Sequence, residues 1–235
     1  MIRSPRQGEL RLPIKRIQAP ARLSEMAYER IKSSLISVEM SRLPDEGRID
    51  ERELAARLGI SRTPLREAIH RLVSEGFLRV VPRKGIYVVK KTKGEIVEIL
   101  LVRAALEGMA ARLATKYVSQ ADVRRMREIF APFDPDSVRD HASRYSEANI
   151  RFHELVVGLS RCGKLVELAG NLFEHIRWVR FRAGAFQERH GATLLAHREI
   201  IDALEQRDPD LAERRMREHI EKLARYIEER VETLP

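Results

Sequence analysis

The chain has 235 residues, 43% of them apolar, and a formal net charge of +9. That length suits two ordinary domains, and no run approaches the roughly 18–20 apolar residues of a membrane span. No apolar stretch follows the N-terminus as a secretory signal requires, and the single Cys162 excludes an intrachain disulfide, so cytoplasm is the expected compartment.

The charge is unevenly placed. Residues 1–92 hold 20 Lys/Arg against 11 Asp/Glu, whereas residues 93–235 hold 24 of each. A basic front joined to a neutral remainder predicts a polyanion-binding module attached to a domain with a different task.

In chain order, residues 1–20 carry scattered Arg and Lys with Pro5, Pro13 and Pro20, and read as a flexible basic arm. Ser24 is the expected N-cap of a helix running to about Val38, with Met26, Ile31, Leu35 and Val38 on its buried side. Met40 to Asp50, with Pro44 and Gly47, reads as loop. Two helices are expected next, Glu51–Leu58 and Arg62–Ser74, joined by a tight turn at Gly59. On the second, Leu65, Ala68, Ile69 and Leu72 share one sector, while Arg62, Thr63, Arg66 and His70 share an adjoining one. Pro64 is tolerated because it lies in the first turn. Phe77–Val81 and Ile86–Val89, linked by Pro82-Arg83-Lys84-Gly85, predict a β-hairpin.

From Lys93 onward only helical periodicity remains. Breaks at Ala131–Pro135, Gly163 and Asp208-Pro209 divide it into helices at about 93–117, 120–130, 138–160, 163–182, 188–206 and 208–231. Ile96, Ile99, Leu100 and Leu106 on the first, and Leu211, Met216, Ile220, Leu223 and Ile227 on the last, predict a bundle with one core. The expected fold is therefore mainly α: a winged helix-turn-helix over 21–92, then an all-helical bundle over 93–235.

In such a module the second helix enters the major groove of double-stranded DNA. Arg62 and Arg66 lie one turn apart, and a guanidinium fork matches guanine O6 and N7. Ser61 and Thr63 at the helix start are placed to donate to phosphate, and Arg52 opens the preceding helix. Arg83, Lys84 and Gly85 at the hairpin tip would enter the neighbouring minor groove.

The run GRIDERELAARLGISRTPLREAIHRLVSEGFLRVVPRKGIYV, Gly47 to Val88, resembles the GntR family of bacterial transcription regulators. The resemblance implies that Arg52, Arg62 and Arg66 contact operator bases or phosphates and that Arg83 to Gly85 form the wing. One departure is Pro44-Asp45-Glu46-Gly47, where such regulators often place Pro and Gly together.

In the second half, Asn149 and His153 are stacked at i and i+4. His197 shares a face with Ile200, Ile201 and Leu204, and His219 with Met216, Ile220 and Leu223. Three inward imidazoles from three helices make either a site for a divalent cation or three hydrogen-bonded core residues, and periodicity does not separate the two. His175, on a face with Leu172 and Val179, is given no role.

This half is similar to the FCD-type domain of the FadR branch. The likeness is carried by Arg103-Ala104-Ala105-Leu106-Glu107, Asn149-Ile150-Arg151-Phe152-His153, His197 to Leu204 and Met216 to Ile220. It implies a metal held by an acid and three histidines, zinc or nickel being expected, and a small carboxylate effector. Asn149 departs from the usual Asp, which leaves a bound ion's charge uncompensated and favours an anionic ligand. Arg103 is either an anchor for that carboxylate or an i,i+4 partner of Glu107.

The expected function is a metabolite-responsive regulator, a repressor by preference, acting as a homodimer on a twofold operator. A hydrolase built on the three histidines is the rival from another class, though no HExxH helix is present. A non-specific architectural DNA-binding protein is the third.

Overall fold

The computed structural model describes residues 21–37, 47–180 and 190–231. The expected arm 1–20, Val38 and the first part of the Met40–Asp50 loop lie outside the described residues. In the front half come α1 (Ala21–Ser37), β1 (Arg48–Ile49), α2 (Glu51–Leu58), α3 (Arg62–Ser74), β2 (Leu78–Val81) and β3 (Gly85–Val88). The remainder is helical: α4 (Lys93–Ala114), α5 (Gln120–Phe130), a 3-10 turn at Val138–His141, α6 (Ala142–Leu159), α7 (Gly163–Arg180), α8 (His190–Glu205) and α9 (Pro209–Arg230).

The front half is built around one apolar cluster. Ala27, Tyr28, Ile31 and Leu35 of α1 meet Leu65, Ala68, Ile69 and Leu72 of α3, closed by Phe77, Leu78, Ile86 and Val88. Two expectations for α1 are corrected. The helix already includes Ala21, so Ser24 lies inside it rather than capping it. Met26 is 46% exposed, because the buried face follows the i, i+4 series from Ala27.

A third correction concerns the loop. Arg48 and Ile49 pair antiparallel with Tyr87 and Ile86, making a three-stranded sheet of order β1-β3-β2. A two-residue strand has no alternation of its own to read, so its pairing is visible only once the hairpin is in place.

The turn between α2 and α3 forms as its residues require. Asp50 caps α2 by accepting from the Arg52 and Glu53 backbone N–H groups, and Gly59 ends it at φ +66°. The β2–β3 turn is closed by the Lys84 N–H to the Val81 carbonyl at 3.0 Å. Pro82 and Arg83 occupy its corner, with Arg83 held at φ +62°.

The helical half has its own core. Ile96, Leu100, Ala104 and Ala111 of α4 join Val123, Met126 and Phe130 of α5, Tyr145, Phe152 and Val156 of α6, and Leu194, Ile200, Met216 and Ile220 of α8 and α9. Capping boxes start two helices, Thr92 with Glu95 and Ser119 with Asp122, while Asp208 caps α9 ahead of Pro209. The expected 138–160 helix is interrupted by its 3-10 turn, and α4 ends at Ala114 rather than near residue 117. Helix α4 is buried on several sides, including two charged residues, Arg103 and Glu107. At Gly108 an added Cβ would lie 3.4 Å from the Glu213 carbonyl, so α4 and α9 run close together.

Candidate functional site

Two groups of residues stand out, one on the surface of the front half and one inside the bundle. On the front half, Arg52, Ser61, Arg62, Thr63 and Arg66 are all exposed at the N-terminal ends of α2 and α3. Ser61 is the N-cap of α3 but makes no capping hydrogen bond, so its hydroxyl is available to another acceptor or donor. Arg66 is tied by Nε to Glu51 Oε1 at 2.7 Å. That contact links the start of α2 to the second turn of α3 and leaves the two terminal amino groups as the reaching end of the guanidinium.

Arg83 and Lys84 are exposed at the hairpin tip, and Gly85 is half-buried at φ +123°. A Cβ at Gly85 would meet Arg48 Nε at 3.3 Å, so Arg48 of β1 lies over the glycine and adds a cation beside the tip. Arg79 lies over the Tyr87 ring at 5.1 Å. Sequence reasoning missed Glu51 and Arg48. Their roles depend on pairing between elements, which local periodicity does not encode.

Inside the bundle, α6, α8 and α9 bring His153, His197 and His219 together, with one ligand atom of each within 4.8 Å of the others. Ring centroids are 5.3, 5.3 and 4.5 Å apart for the three pairs. His153 Nδ1 donates to Glu107 Oε2 at 2.5 Å, and His197 Nδ1 lies 3.2 Å from the Tyr145 hydroxyl. With those nitrogens engaged, the Nε2 atoms of His153 and His197 face each other at 3.4 Å.

That spacing is a test of fit. Two zinc–imidazole bonds of about 2.0–2.1 Å at a tetrahedral angle put their nitrogens roughly 3.3–3.4 Å apart. A carboxylate behind a ligating imidazole also sets its tautomer and raises its basicity. The donor set therefore fits a divalent ion of zinc's kind. Phe130 stacks on His197 at 4.7 Å, and Phe152 lies 4.9 Å from the same ring, forming an apolar wall.

Arg103 answers to Glu107: Nε lies 2.6 Å from Oε1, and both residues are buried. Its i,i+4 pairing is thus present, and only Nε is taken by it. Burial pushes the Glu107 carboxyl up, but Arg103 and His153 together outweigh it and hold it below the usual carboxylate range. Asn149 is buried one helical turn before His153 on α6. Glu107 was visible in the sequence only as a partner for Arg103. Its contact with His153 joins two helices.

Residues 23–88 match the bacterial regulatory proteins of the gntR family, and residues 98–222 match the FCD domain. Among relatives, the Nta operon transcriptional regulator of Aminobacter aminovorans is 34% identical over 64% of this chain and 74% of its own length. A probable D-xylose utilization operon transcriptional repressor from Paenarthrobacter nicotinovorans is 30% identical over 79% and 81%. Among solved structures, E. coli McbR/YncC has a TM-score of 0.67 over 88% of this chain and 97% of that one, at 21% identity, which speaks to fold alone. The chain is a DNA-binding transcription regulator, not an enzyme: it belongs to the GntR family, in the FadR-type branch that carries an FCD domain.

Proposed function

We propose that this regulator works in the cytoplasm as a homodimer that represses an operon, and that a small carboxylate held in the bundle with a divalent ion alters its grip on the operator. Among the described residues no helix is long and apolar enough to cross a membrane. Operon control is the task named for the Aminobacter and Paenarthrobacter relatives, and it is the reading favoured for this chain.

The observation that carries the pocket is the 3.4 Å approach of the His153 and His197 Nε2 atoms, with His153 braced from behind by Glu107. His153, His197 and His219 would hold the ion, with Asn149 as a neutral fourth donor. The ion supplies a positive charge that draws carboxylate oxygens. Arg103 and Glu107 cancel one another, so that charge stays uncompensated until an anion enters. The terminal amino groups of Arg103 are suited to a second hold on it.

On DNA, Arg62 and Arg66 are assigned to base edges, Ser61, Thr63 and Arg52 to phosphates, and Arg83, Lys84 and Gly85 to the adjacent groove. Glu51 steers Arg66 by holding Nε. Two copies are needed because one helix and one wing span only a few base pairs, and a twofold protein reads a twofold site.

Calorimetric titration of chelator-stripped protein with zinc tests the pocket. Uptake of one ion per chain is expected, lost or weakened at least tenfold in His197→Ala. An absence of uptake, or uptake unchanged in the variant, refutes it.

A further inference from the structure

The Glu75-Gly76-Phe77 run that follows α3 belongs to the family pattern yet has no part in the DNA face or the pocket. All three of its residues meet His175. The His175 Nε2–H donates to the Glu75 carbonyl at 2.8 Å. The imidazole stacks on Phe77, with centroids 4.3 Å apart and planes 17° off parallel. Gly76 supplies the left-handed φ of +77° at this corner and lies beside the ring, where an added Cβ would be in ordinary contact at 3.9 Å from it and 3.4 Å from Lys91 Nζ. The other imidazole nitrogen, Nδ1, is buried without a hydrogen-bond partner. Because a carbonyl only accepts, it is Nε2 that carries a proton here.

The Glu75 side chain fixes the same corner from the other direction. Its carboxylate accepts from the Tyr28 hydroxyl at 2.7 Å, from Lys32 Nζ at 3.1 Å and from Arg71 Nε at 3.2 Å. The end of the recognition helix is therefore clamped to α1 by a side chain and to α7 by a main-chain carbonyl.

Two residues earlier on α7, Phe173 is buried with Ala110, Val157 and Ala169. Its ring centroid is 6.5 Å from that of His153, and the Arg103 guanidinium lies over it at 5.0 Å. One helix thus touches the pocket with Phe173 and the recognition helix with His175.

We propose that His175 is the residue through which the pocket positions the recognition helix: α7, seated against His153 and Arg103 by Phe173, carries the end of α3 by the His175–Glu75 hydrogen bond. The inference rests on the pocket reading above. Coupling requires that the occupied and empty pockets favour different placements of α7. His175 is a positioning residue, since it touches neither DNA nor the pocket's donor atoms.

The test is hydrogen exchange over residues 62–81 in the full chain, zinc-free and zinc-saturated, for the wild type, His175→Phe and His175→Gln. Zinc binding is followed in parallel by calorimetry. Phe keeps the stacking and loses the donor, whereas the Gln amide restores an N–H near the Nε2 position. Zinc-free His175→Phe should exchange about tenfold faster at the last turn of α3, as loss of one hydrogen bond implies. The change that zinc causes over 62–81 in the wild type should vanish in His175→Phe and survive in His175→Gln, with zinc still bound by all three and its affinity in His175→Phe shifted by no more than the coupling factor that is lost.

Undiminished transmission in His175→Phe overturns the proposal, as does a wild type that binds zinc with no change over 62–81. Equal loss in both variants does so too, since it would leave only a packing role. A wild type that takes up no zinc refutes the pocket, and the zinc-free exchange rates then still decide whether His175 holds α3. Should His175→Phe fail to fold by circular dichroism, His175→Asn, too short to reach the carbonyl, replaces it.

Discussion

Glu107 has no exposed surface and two basic neighbours, Arg103 Nε at 2.6 Å and His153 Nδ1 at 2.5 Å. Carboxylates behind ligating imidazoles typically contribute about 10–100-fold to metal affinity. Glu107→Gln should therefore weaken zinc binding by that factor in calorimetry, and an unchanged affinity would remove Glu107 from the site. The same variant strands a buried guanidinium, so thermal unfolding should shift downward by an amount consistent with about 3–5 kcal/mol. His175 offers a second residue-level check. Burial first, then Lys91 and Lys32, push its pKa from 6.5 down to about 4, against the pull of the Glu75 carbonyl and carboxylate; Glu95 is the other charged group that feels it. The unfolded chain takes up this proton more readily than the folded one. The contribution is therefore complete above about pH 6.5 and drains away as pH falls toward 4. Urea titrations of wild type and His175→Gln should show the wild type losing more stability across that window, and parallel curves would contradict it. At this scale the sequence displayed the three clustered histidines, because helical period alone turns them inward. It hid Glu107 and gave His175 no purpose, because both act across helices that share no local pattern.

Among the elements, α2, the Gly59 turn and α3 were legible almost to the residue. Their signals are local: a capping Asp50, a left-handed glycine and an apolar face of four residues. The wing was legible as a hairpin for the same reason. Its third strand was not, since Arg48 and Ile49 become a strand only by bonding to Tyr87 and Ile86. The start of α1 was misjudged because Ala21 to Leu23 are already good helix formers ahead of the polar Ser24. The wing carries its own prediction. Arg83 and Lys84 stand on a turn closed by the Lys84 N–H, so truncating both side chains leaves that backbone bond intact. Arg83→Ala/Lys84→Ala should fold normally and reduce the slope of log affinity against log salt by about two, roughly one per lost cation. Fluorescence anisotropy across a salt series checks this, and an unchanged slope would place the wing off the duplex.

Over the whole molecule, the excess of positive charge and the recognition helix lie at the front, and a braced cluster of imidazoles lies in the neutral remainder. Helix α7 spans the two, touching His153 through Phe173 and Glu75 through His175. A coupling of roughly 1–3 kcal/mol between the pocket and the DNA face would change operator affinity about 5–150-fold. The charge asymmetry was plain in the sequence, whereas the bridging helix was not, because its two contacts belong to tertiary packing. The claim on which the rest depends is that α3 reads a specific duplex. Selection of binding sites from a random duplex library, followed by anisotropy at fixed salt, tests it most directly. The expected outcome is a twofold-symmetric site bound roughly a thousandfold tighter than random duplex, with that preference lost in Arg66→Ala. Equal affinity for selected and random duplexes, or an Arg66→Ala protein that keeps the preference, would contradict it.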